Sequence, residues 1–199
     1  MSFFNPASSP IIMPGGLVVW ENLFTTAELD RVEQHADRLA QEKAELSAQD
    51  TGRDNIRVTR VAWLMRDAET ESFYARMEEV VLRINAQFFR YDLSGLVTFQ
   101  YAVYDGAEGG HFDWHKDYGK DYGAADQEPR KLSLSIQLSD PTNYQGCDLE
   151  VRGGNITDVA PRNRGAVIAF PSYVLHRVTP ITSGIRKSLV VWAVGPEFK

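Results

Sequence analysis

The feature that most constrains the fold is a series of short strand-like segments in the second half of the chain. From Leu96 onward, apolar residues recur with a period of two or in short apolar runs, as in LVTFQYAVYD, KLSLSIQLS, AVIAF and RKSLVVWAV. Side chains alternate between the two faces of a sheet, so this pattern is typical of strands. Turns rich in glycine or proline, among them DGAEGG and PRNRG, separate the segments. Short strands at this spacing predict a β-sandwich or jelly roll.

The first half of the chain has a mixed pattern. A short strand is predicted within GLVVWENLF, followed by a helix. The helix start is marked by a capping box, in which the Thr25 hydroxyl accepts from the Glu28 backbone N–H and the Glu28 carboxylate accepts from the Thr25 backbone N–H. A further strand is expected at 58–65, and a second amphipathic helix at about 70–90.

Composition and charge exclude several functions. The 199 residues carry a net charge of −6, with a pI near 5.2, whereas a general binder of nucleic-acid backbones needs a basic face. No segment approaches the roughly 18 uninterrupted apolar residues of a membrane span. The single cysteine, Cys147, cannot form an internal disulfide, which suits a reducing compartment. We therefore expect a cytoplasmic protein that acts without nucleic acid or membrane; these features do not indicate an oligomeric state.

The candidate functional residues centre on HFDWHKD, which contains two overlapping His-x-Asp pairs, His111/Asp113 and His115/Asp117. Strict alternation would place all four side chains on one face of a strand. They would then extend over about 20 Å at roughly 3.3 Å per residue, so one metal ion can bind at most one adjacent pair. The pattern leaves open which pair binds a metal, and it also admits a strand whose polar groups face water.

Two residues further along favour a metal site. His176 lies in the apolar segment FPSYVLHRVTP, where an unpartnered imidazole would cost free energy, and Arg186 follows ten residues later. Two histidines and one carboxylate on one face of an octahedron are typical of non-haem Fe(II) oxygenases and leave three positions open. A 2-oxo acid can occupy two of these positions and O₂ the third, while a buried arginine holds the far carboxylate in a forked pair.

The stretch 97–196 resembles the prolyl 4-hydroxylase-type branch of the Fe(II)/2-oxoglutarate-dependent dioxygenases, especially the PKHD-type hydroxylases. The similarity lies in YDGAEGGHFDWHKD, SLSIQLSDPTNYQGCDLEV and GAVIAFPSYVLHRVTPITSGIRKSLVVWAVGP. Phe112 matches an aromatic residue that often stands three positions before the first ligand histidine. The segment GCDL matches a Gly-Gly-Glu-Leu motif, with Cys147 in place of the second glycine.

The resemblance implies an α+β protein with a mainly β core. Residues 96–199 are expected to form a double-stranded β-helix, a cupin-like jelly roll. Residues 1–95 are expected to form a helical and strand accessory layer of the same domain, with the N-terminal helices packed on one sheet. Substrate choice is assigned to the loops at 47–56 and 118–130, since long loops beside a site often act as lids.

The resemblance also implies roles for individual residues. It aligns the metal ligands with His115, Asp117 and His176, and the 2-oxoglutarate anchor with Arg186. Tyr104 and Tyr101 are candidates for a hydrogen bond to 2-oxoglutarate, with packing as the alternative. Ser188 is a candidate for a contact in an Arg-x-Ser arrangement. His111 and Asp113 are candidates for substrate contact, with a position facing water as the alternative. Trp192 is expected in the core, and Cys147 as a small strand residue rather than a nucleophile.

The implied function is hydroxylation of an unactivated C–H bond on an amino-acid, peptidyl or small-metabolite substrate. The expected cofactors are Fe(II), 2-oxoglutarate and O₂, with release of succinate and CO₂ and with ascorbate as a reductant of the iron. Asp117 disfavours a halogenase, and the lack of a second arginine shortly after Arg186 disfavours a nucleic-acid demethylase. Two alternatives remain, a non-catalytic jelly-roll binding or sensing module and a cupin-type metalloenzyme that does not use 2-oxoglutarate; Arg186 disfavours both.

Overall fold

The computed structural model describes residues 9–44, 56–118 and 128–198. The two loops expected to select the substrate, 47–56 and 118–130, lie mostly outside these ranges. Within them, no helix is long and apolar enough to cross a membrane.

The described residues form two α-helices, fifteen strands and three short helical turns. The helices are α1 (Thr26–Asp37) and α2 (Glu71–Ile84), the latter continued by a π-helical turn (Asn85–Phe89), and 3-10 turns lie at Gly106–Glu108 and Pro141–Asn143. The strands are β1 (Ile11–Ile12), β2 (Val18–Trp20), β3 (Glu42–Lys43), β4 (Arg57–Val58), β5 (Arg60–Leu64), β6 (Gly95–Leu96), β7 (Phe99–Asp105), β8 (His111–His115), β9 (Arg130–Gln137), β10 (Tyr144–Gly146), β11 (Leu149–Gly153), β12 (Ile156–Val159), β13 (Val167–Pro171), β14 (Leu175–Val178) and β15 (Ile181–Val194).

These strands form two antiparallel sheets. The larger, ten-stranded sheet has the order β1-β2-β13-β9-β15-β7-β5-β3, and β10 and β6 also pair with β15. The smaller, five-stranded sheet has the order β12-β11-β14-β8-β4. One apolar cluster contains residues of both sheets, such as Tyr104 and Ile168 of the larger and Val151 and Val178 of the smaller, so the sheets pack face to face. The predicted α+β class with a mainly β jelly-roll core is confirmed.

The larger sheet is buried on both faces, and its strands show why. In β9, Leu132, Leu134 and Ile136 belong to the cluster that the helices cover. The residues between them, Ser133 and Ser135, are also buried and by alternation face the smaller sheet. The helices therefore cover one face of this sheet, as expected, and the face that lies opposite the smaller sheet is polar along β9.

Helix α1 begins at the predicted capping box. The Thr25 backbone N–H donates to Glu28 Oε2 at 2.7 Å, and the Glu28 backbone N–H donates to Thr25 Oγ1 at 3.2 Å. Charged groups then attach α1 to the sheet: Arg164 donates to Asp30 at 2.8 Å, and Lys187 Nζ donates to Asp37 at 2.8 Å. Because Lys187 lies in β15, the helix supports the strand that also carries Arg186.

Candidate metal centre

The three candidate metal ligands come together beside two neighbouring strands of the smaller sheet. His115 ends β8 and pairs directly with His176 of β14. Asp117 follows β8, where its backbone N–H donates to the Ser172 carbonyl at 2.9 Å. His115 Nε2 lies 3.7 Å from Asp117 Oδ1, and His176 Nε2 lies 3.4 Å from Asp117 Oδ2. One donor atom from each residue thus lies within 4.8 Å of the other two.

Backbone carbonyls fix the orientation of both imidazoles. His115 Nδ1 lies 2.7 Å from the Asp113 carbonyl oxygen, and His176 Nδ1 lies 3.1 Å from the Val174 carbonyl oxygen. A carbonyl can only accept, so each Nδ1 carries the proton and each Nε2 presents a lone pair. Burial, with the charge of neighbouring His176 acting in the same direction, lowers the pKa of His115 to about 3. His115 is therefore neutral near pH 7, the form that binds a metal.

The Asp117 carboxylate is held by two donors from the larger sheet. Ser133 Oγ donates to Oδ2 at 2.8 Å, and Trp192 Nε1 donates to the same oxygen at 2.9 Å. Burial by itself raises the pKa of Asp117, but the charge of His176 and hydrogen bonds from His176 and Trp192 outweigh it and lower the pKa well below its usual range. The result is an ionised carboxylate beside two imidazoles whose Nε2 atoms face it, a donor set that suits Fe(II).

Trp192 is buried, as expected of a core residue, but its indole N–H also contacts a candidate metal ligand. Ser133 was not identified from the sequence. Alternation within KLSLSIQLS gives a signal for it, because the polar residues of this segment share one face of a strand whose other face is apolar.

Arg186 lies on β15 with the features of an anion anchor. The residue is 1% exposed, and its Nε and Nη2 donate to Gln137 Oε1 at 3.2 and 2.8 Å. Its Nη1 is buried and makes no hydrogen bond within the described part of the chain. Tyr104 pairs with Arg186 across the strands, and the guanidinium carbon lies 5.4 Å from the centre of its ring. A buried guanidinium N–H without an acceptor is costly, and a carboxylate is the group that best satisfies it. This orphaned donor therefore fits the far carboxylate of a 2-oxo diacid.

Three further residues lie near the guanidinium or on the same side of the sheet. Ser188 is buried and, two positions after Arg186 on β15, faces the same side. The Cys147 thiol and Tyr144 lie close to the Arg186 side chain. Tyr144 and Gln137 were not predicted as site residues from the sequence.

The strand geometry corrects one expectation, that alternating residues from 111 to 117 share a face. In the pairing of β8 with β14, His115 lies opposite His176 and Phe112 lies opposite Val178. Three steps on β8 thus match two steps on β14, which is a β-bulge. The rings of Phe112 and His115 consequently stack, with their centroids 3.4 Å apart. Strand β4 pairs regularly with residues 111 and 112.

The bulge separates the first His-x-Asp pair from the metal ligands. By alternation, His111 and Asp113 face away from the side that Phe112 and His115 share, so the expected common face is wrong. This placement gives no support for substrate contact by the two side chains. Asp113 does act on the site through its backbone carbonyl, which accepts from His115 Nδ1.

A second correction concerns the two tyrosines of β7. Tyr101 and Tyr104 are three residues apart and face opposite sides of the larger sheet. The Tyr101 hydroxyl donates to Asp37 of α1 at 2.5 Å, so this side chain lies on the helical side and cannot contact a ligand held by Arg186. Tyr104 is the tyrosine beside Arg186.

Comparison with known proteins agrees with this geometry. The sequence profile of the 2OG-Fe(II) oxygenase superfamily matches residues 99–194. The chain is 34% identical over 88 residues to a PKHD-type hydroxylase of Acidovorax ebreus, which covers 43% of this chain and 39% of that protein. The chain therefore spans well under half the length of this relative.

Two solved structures share the fold. A prolyl-4-hydroxylase of Pseudomonas putida aligns over 86% of this chain and 89% of its own, with a TM-score of 0.62 and 21% identity. A prolyl hydroxylase in complex with a hypoxia inducible factor peptide fragment, from Trichoplax adhaerens, aligns over 91% of this chain and 84% of its own, with a TM-score of 0.70 and 17% identity. These similarities show the double-stranded β-helix fold. Through residues 99–194 the chain is similar to the 2OG-Fe(II) oxygenase superfamily, and over shorter stretches it is similar to PKHD-type hydroxylases.

Proposed function

We propose that the protein is an Fe(II)- and 2-oxoglutarate-dependent hydroxylase. The proposal rests on two features of the protein interior, a set of metal-donor atoms and a buried arginine. Three donor atoms lie within 4.8 Å of one another, and a buried arginine nitrogen has no acceptor in the described part of the chain. The first group suits Fe(II), and the second suits the far carboxylate of 2-oxoglutarate.

Each residue has a defined role in this proposal. His115, Asp117 and His176 hold the iron, and Arg186 holds the far carboxylate of 2-oxoglutarate, with Tyr104 and Ser188 beside it. When bound, iron and 2-oxoglutarate together activate O₂, so that one oxygen atom enters a substrate C–H bond and the other enters succinate as CO₂ is released. Ser133 and Trp192 orient the Asp117 carboxylate, because both donate to its Oδ2. Orientation of a metal ligand in this way is a general requirement of such sites.

The proposed substrate is an amino-acid unit, free or in a peptide, or a small metabolite. The names of the relatives support a hydroxylase, and one structural neighbour is a prolyl hydroxylase in complex with a peptide fragment. The net charge of −6 supports action without nucleic acid. The single, buried Cys147 suits a reducing compartment such as the cytoplasm.

Succinate formation is the direct test. Purified protein is incubated with 2-oxoglutarate, Fe(II), ascorbate and O₂, with and without candidate peptides, and succinate is quantified. We expect succinate formation that requires Fe(II) and that is lost in Asp117→Ala. A protein that binds the metal and 2-oxoglutarate but forms no succinate with any substrate would be a binding module. Turnover of a substrate without 2-oxoglutarate would indicate a cupin-type metalloenzyme instead.

A further inference from the structure

We propose that Cys147 sets the chain length of the 2-oxo diacid that the protein accepts, by filling the end of the pocket beside Arg186. This inference rests on the proposed function and adds a specificity-determining residue to it.

The position of Cys147 is fixed by the chain on both sides. Strand β10 pairs with β15 up to Gly146, which lies opposite Ile181. The Cys147 backbone N–H then donates to the Pro180 carbonyl at 3.2 Å. A Cβ at Gly146 would lie 2.4 Å from the same carbonyl oxygen, so this segment has no room to shift. Cys147 is 1% exposed and belongs to the apolar cluster that contains Tyr104 and Tyr144.

The backbone conformation of Cys147 is one that favours glycine. Its φ is +60°, in the left-handed region that side chains other than those of asparagine and aspartate rarely adopt. Glycine would occupy this position without strain. The chain instead keeps a side chain here, and strained positions that persist in a structure tend to lie at functional sites. We therefore expect the Cβ and Sγ of Cys147 to have a function that glycine could not perform.

The surroundings of the thiol indicate that role. The thiol contacts the Arg186 guanidinium, whose Nη1 is buried without an acceptor in the described residues. A carboxylate that binds Nη1 would share its space with Sγ. Burial raises the pKa of Cys147, so the group remains a neutral thiol that does not repel a carboxylate and can donate a weak S–H hydrogen bond.

Pocket length follows from this arrangement. His115 and His176 at one end and Arg186 at the other lie on strands, so the fold sets the distance between the candidate metal ligands and the guanidinium. A diacid with one extra methylene can bind both ends only if its far carboxylate moves into the space that Cys147 occupies. Removing the side chain should open that space.

The test compares diacid affinities by calorimetry, with Mn(II) in place of Fe(II) so that no turnover occurs. The ligands are oxaloacetate, 2-oxoglutarate and 2-oxoadipate, which contain four, five and six carbons. We expect the native protein to prefer 2-oxoglutarate. In Cys147→Gly the ratio of 2-oxoglutarate affinity to 2-oxoadipate affinity should fall at least tenfold. Cys147→Ser, which keeps most of the volume, should hold the ratio within about threefold, and Cys147→Ala should lie between the two.

Arg90→Gly is the matched control. Arg90 is exposed, follows the π-helical turn after α2 and has a φ of +55°, so its replacement relieves the same backbone conformation outside the pocket. We expect only Cys147→Gly to change the affinity ratio. If Cys147→Gly and Cys147→Ala both keep the native ratio while 2-oxoglutarate binds, this inference fails and the proposed function stands. If the Mn(II)-loaded native protein binds none of the diacids, both fail.

Discussion

Asp117 Oδ2 accepts hydrogen bonds from two side chains of the larger sheet. Trp192 and Ser133 both donate to it from strands of the larger sheet, although the carboxylate belongs to the chain that follows the smaller sheet. A carboxylate held by two donors has little freedom to rotate. Loss of such a partner of a metal ligand typically reduces metal affinity by about 10- to 100-fold.

We predict that Trp192→Phe weakens Mn(II) binding by at least about tenfold, because the variant keeps an aromatic ring but loses the indole N–H. Calorimetric titration with Mn(II) measures the effect. Trp63→Phe is the control, since Trp63 is 45% exposed, lies on β5 two strands away from β15 and places its ring 6.3 Å from that of Trp192. The Mn(II) affinity of the control variant should stay within twofold of that of the native protein. An equal loss of Mn(II) affinity in both variants would contradict the proposed role of Trp192.

The two His-x-Asp pairs should behave differently. His115→Ala removes a neutral imidazole whose Nε2 faces Asp117, so we expect Mn(II) binding to be abolished. His111→Ala should leave Mn(II) affinity within about twofold, because the bulge turns His111 to the other face of β8. Electron paramagnetic resonance of free Mn(II) measures both variants. The opposite outcome would assign the metal to the first pair.

Tyr101 and Tyr104 of β7 lie on opposite faces of one sheet, so the same Tyr→Phe substitution can be made on each face. Tyr104→Phe should weaken 2-oxoglutarate binding to the Mn(II)-loaded protein several-fold without a large loss of stability. Tyr101→Phe should leave that affinity unchanged but lower the free energy of unfolding by about 1–2 kcal/mol, since its hydroxyl donates to the Asp37 carboxylate. Calorimetry and urea denaturation separate the two effects. A change of 2-oxoglutarate affinity in Tyr101→Phe alone would reverse the assignment.

At the level of elements, the helix start is the feature that local sequence determines most completely. The Thr25 hydroxyl and the Glu28 carboxylate are both used in the capping box, and both are supplied within four residues. We predict that Thr25→Ala lowers the free energy of unfolding by about 1 kcal/mol in urea denaturation. Thr26→Ala, at the exposed first residue of α1, should cost less than half of that. Equal losses would mean that the cap contributes nothing specific.

The strands were predictable from the sequence, but their partners were not. Alternation in segments such as KLSLSIQLS depends only on neighbouring residues, and it located β9 and its polar face. The bulge in β8 depends on how residues 112–115 pair with β14, a contact between segments about sixty residues apart. Local patterns carry no information about such a register. Alternation thus placed His111 and His115 on one face, and the structure places them on two.

The same limit explains why the sequence left both Tyr101 and Tyr104 as candidates. The larger sheet is buried on both faces, one under the helices and one under the smaller sheet. An apolar side chain therefore suits either face. The sequence places the two tyrosines on opposite faces without indicating which face carries the site. Arg186 was easier to identify, because a charged residue in an apolar strand needs a specific partner.

At the scale of the whole molecule, the site joins the two sheets. The histidines lie on the smaller sheet, whereas Arg186 lies on β15 of the larger. We predict that Mn(II) and 2-oxoglutarate together raise the melting temperature more than the sum of their separate effects. Each ligand at about 100 times its dissociation constant contributes roughly 2.7 kcal/mol of stability.

The thermal shift has an internal control. Arg186→Gln should retain the Mn(II) effect and lose the additional effect of 2-oxoglutarate, since the metal ligands are intact and the anchor is absent. Chelation of the metal should return the native protein to its lower melting temperature. Purely additive shifts would mean that the diacid does not bridge the two sheets.

The bulge in β8 also bears on how this chain can change over time. Because three steps on β8 oppose two steps on β14, the loss of one residue between Phe112 and His115 would restore regular pairing and leave both rings on the side they now share. A deletion at residue 113 or 114 should therefore be tolerated better than a deletion at a regularly paired position of β8. Homologous chains are expected to differ by one residue in length at the bulge more readily than elsewhere in this strand.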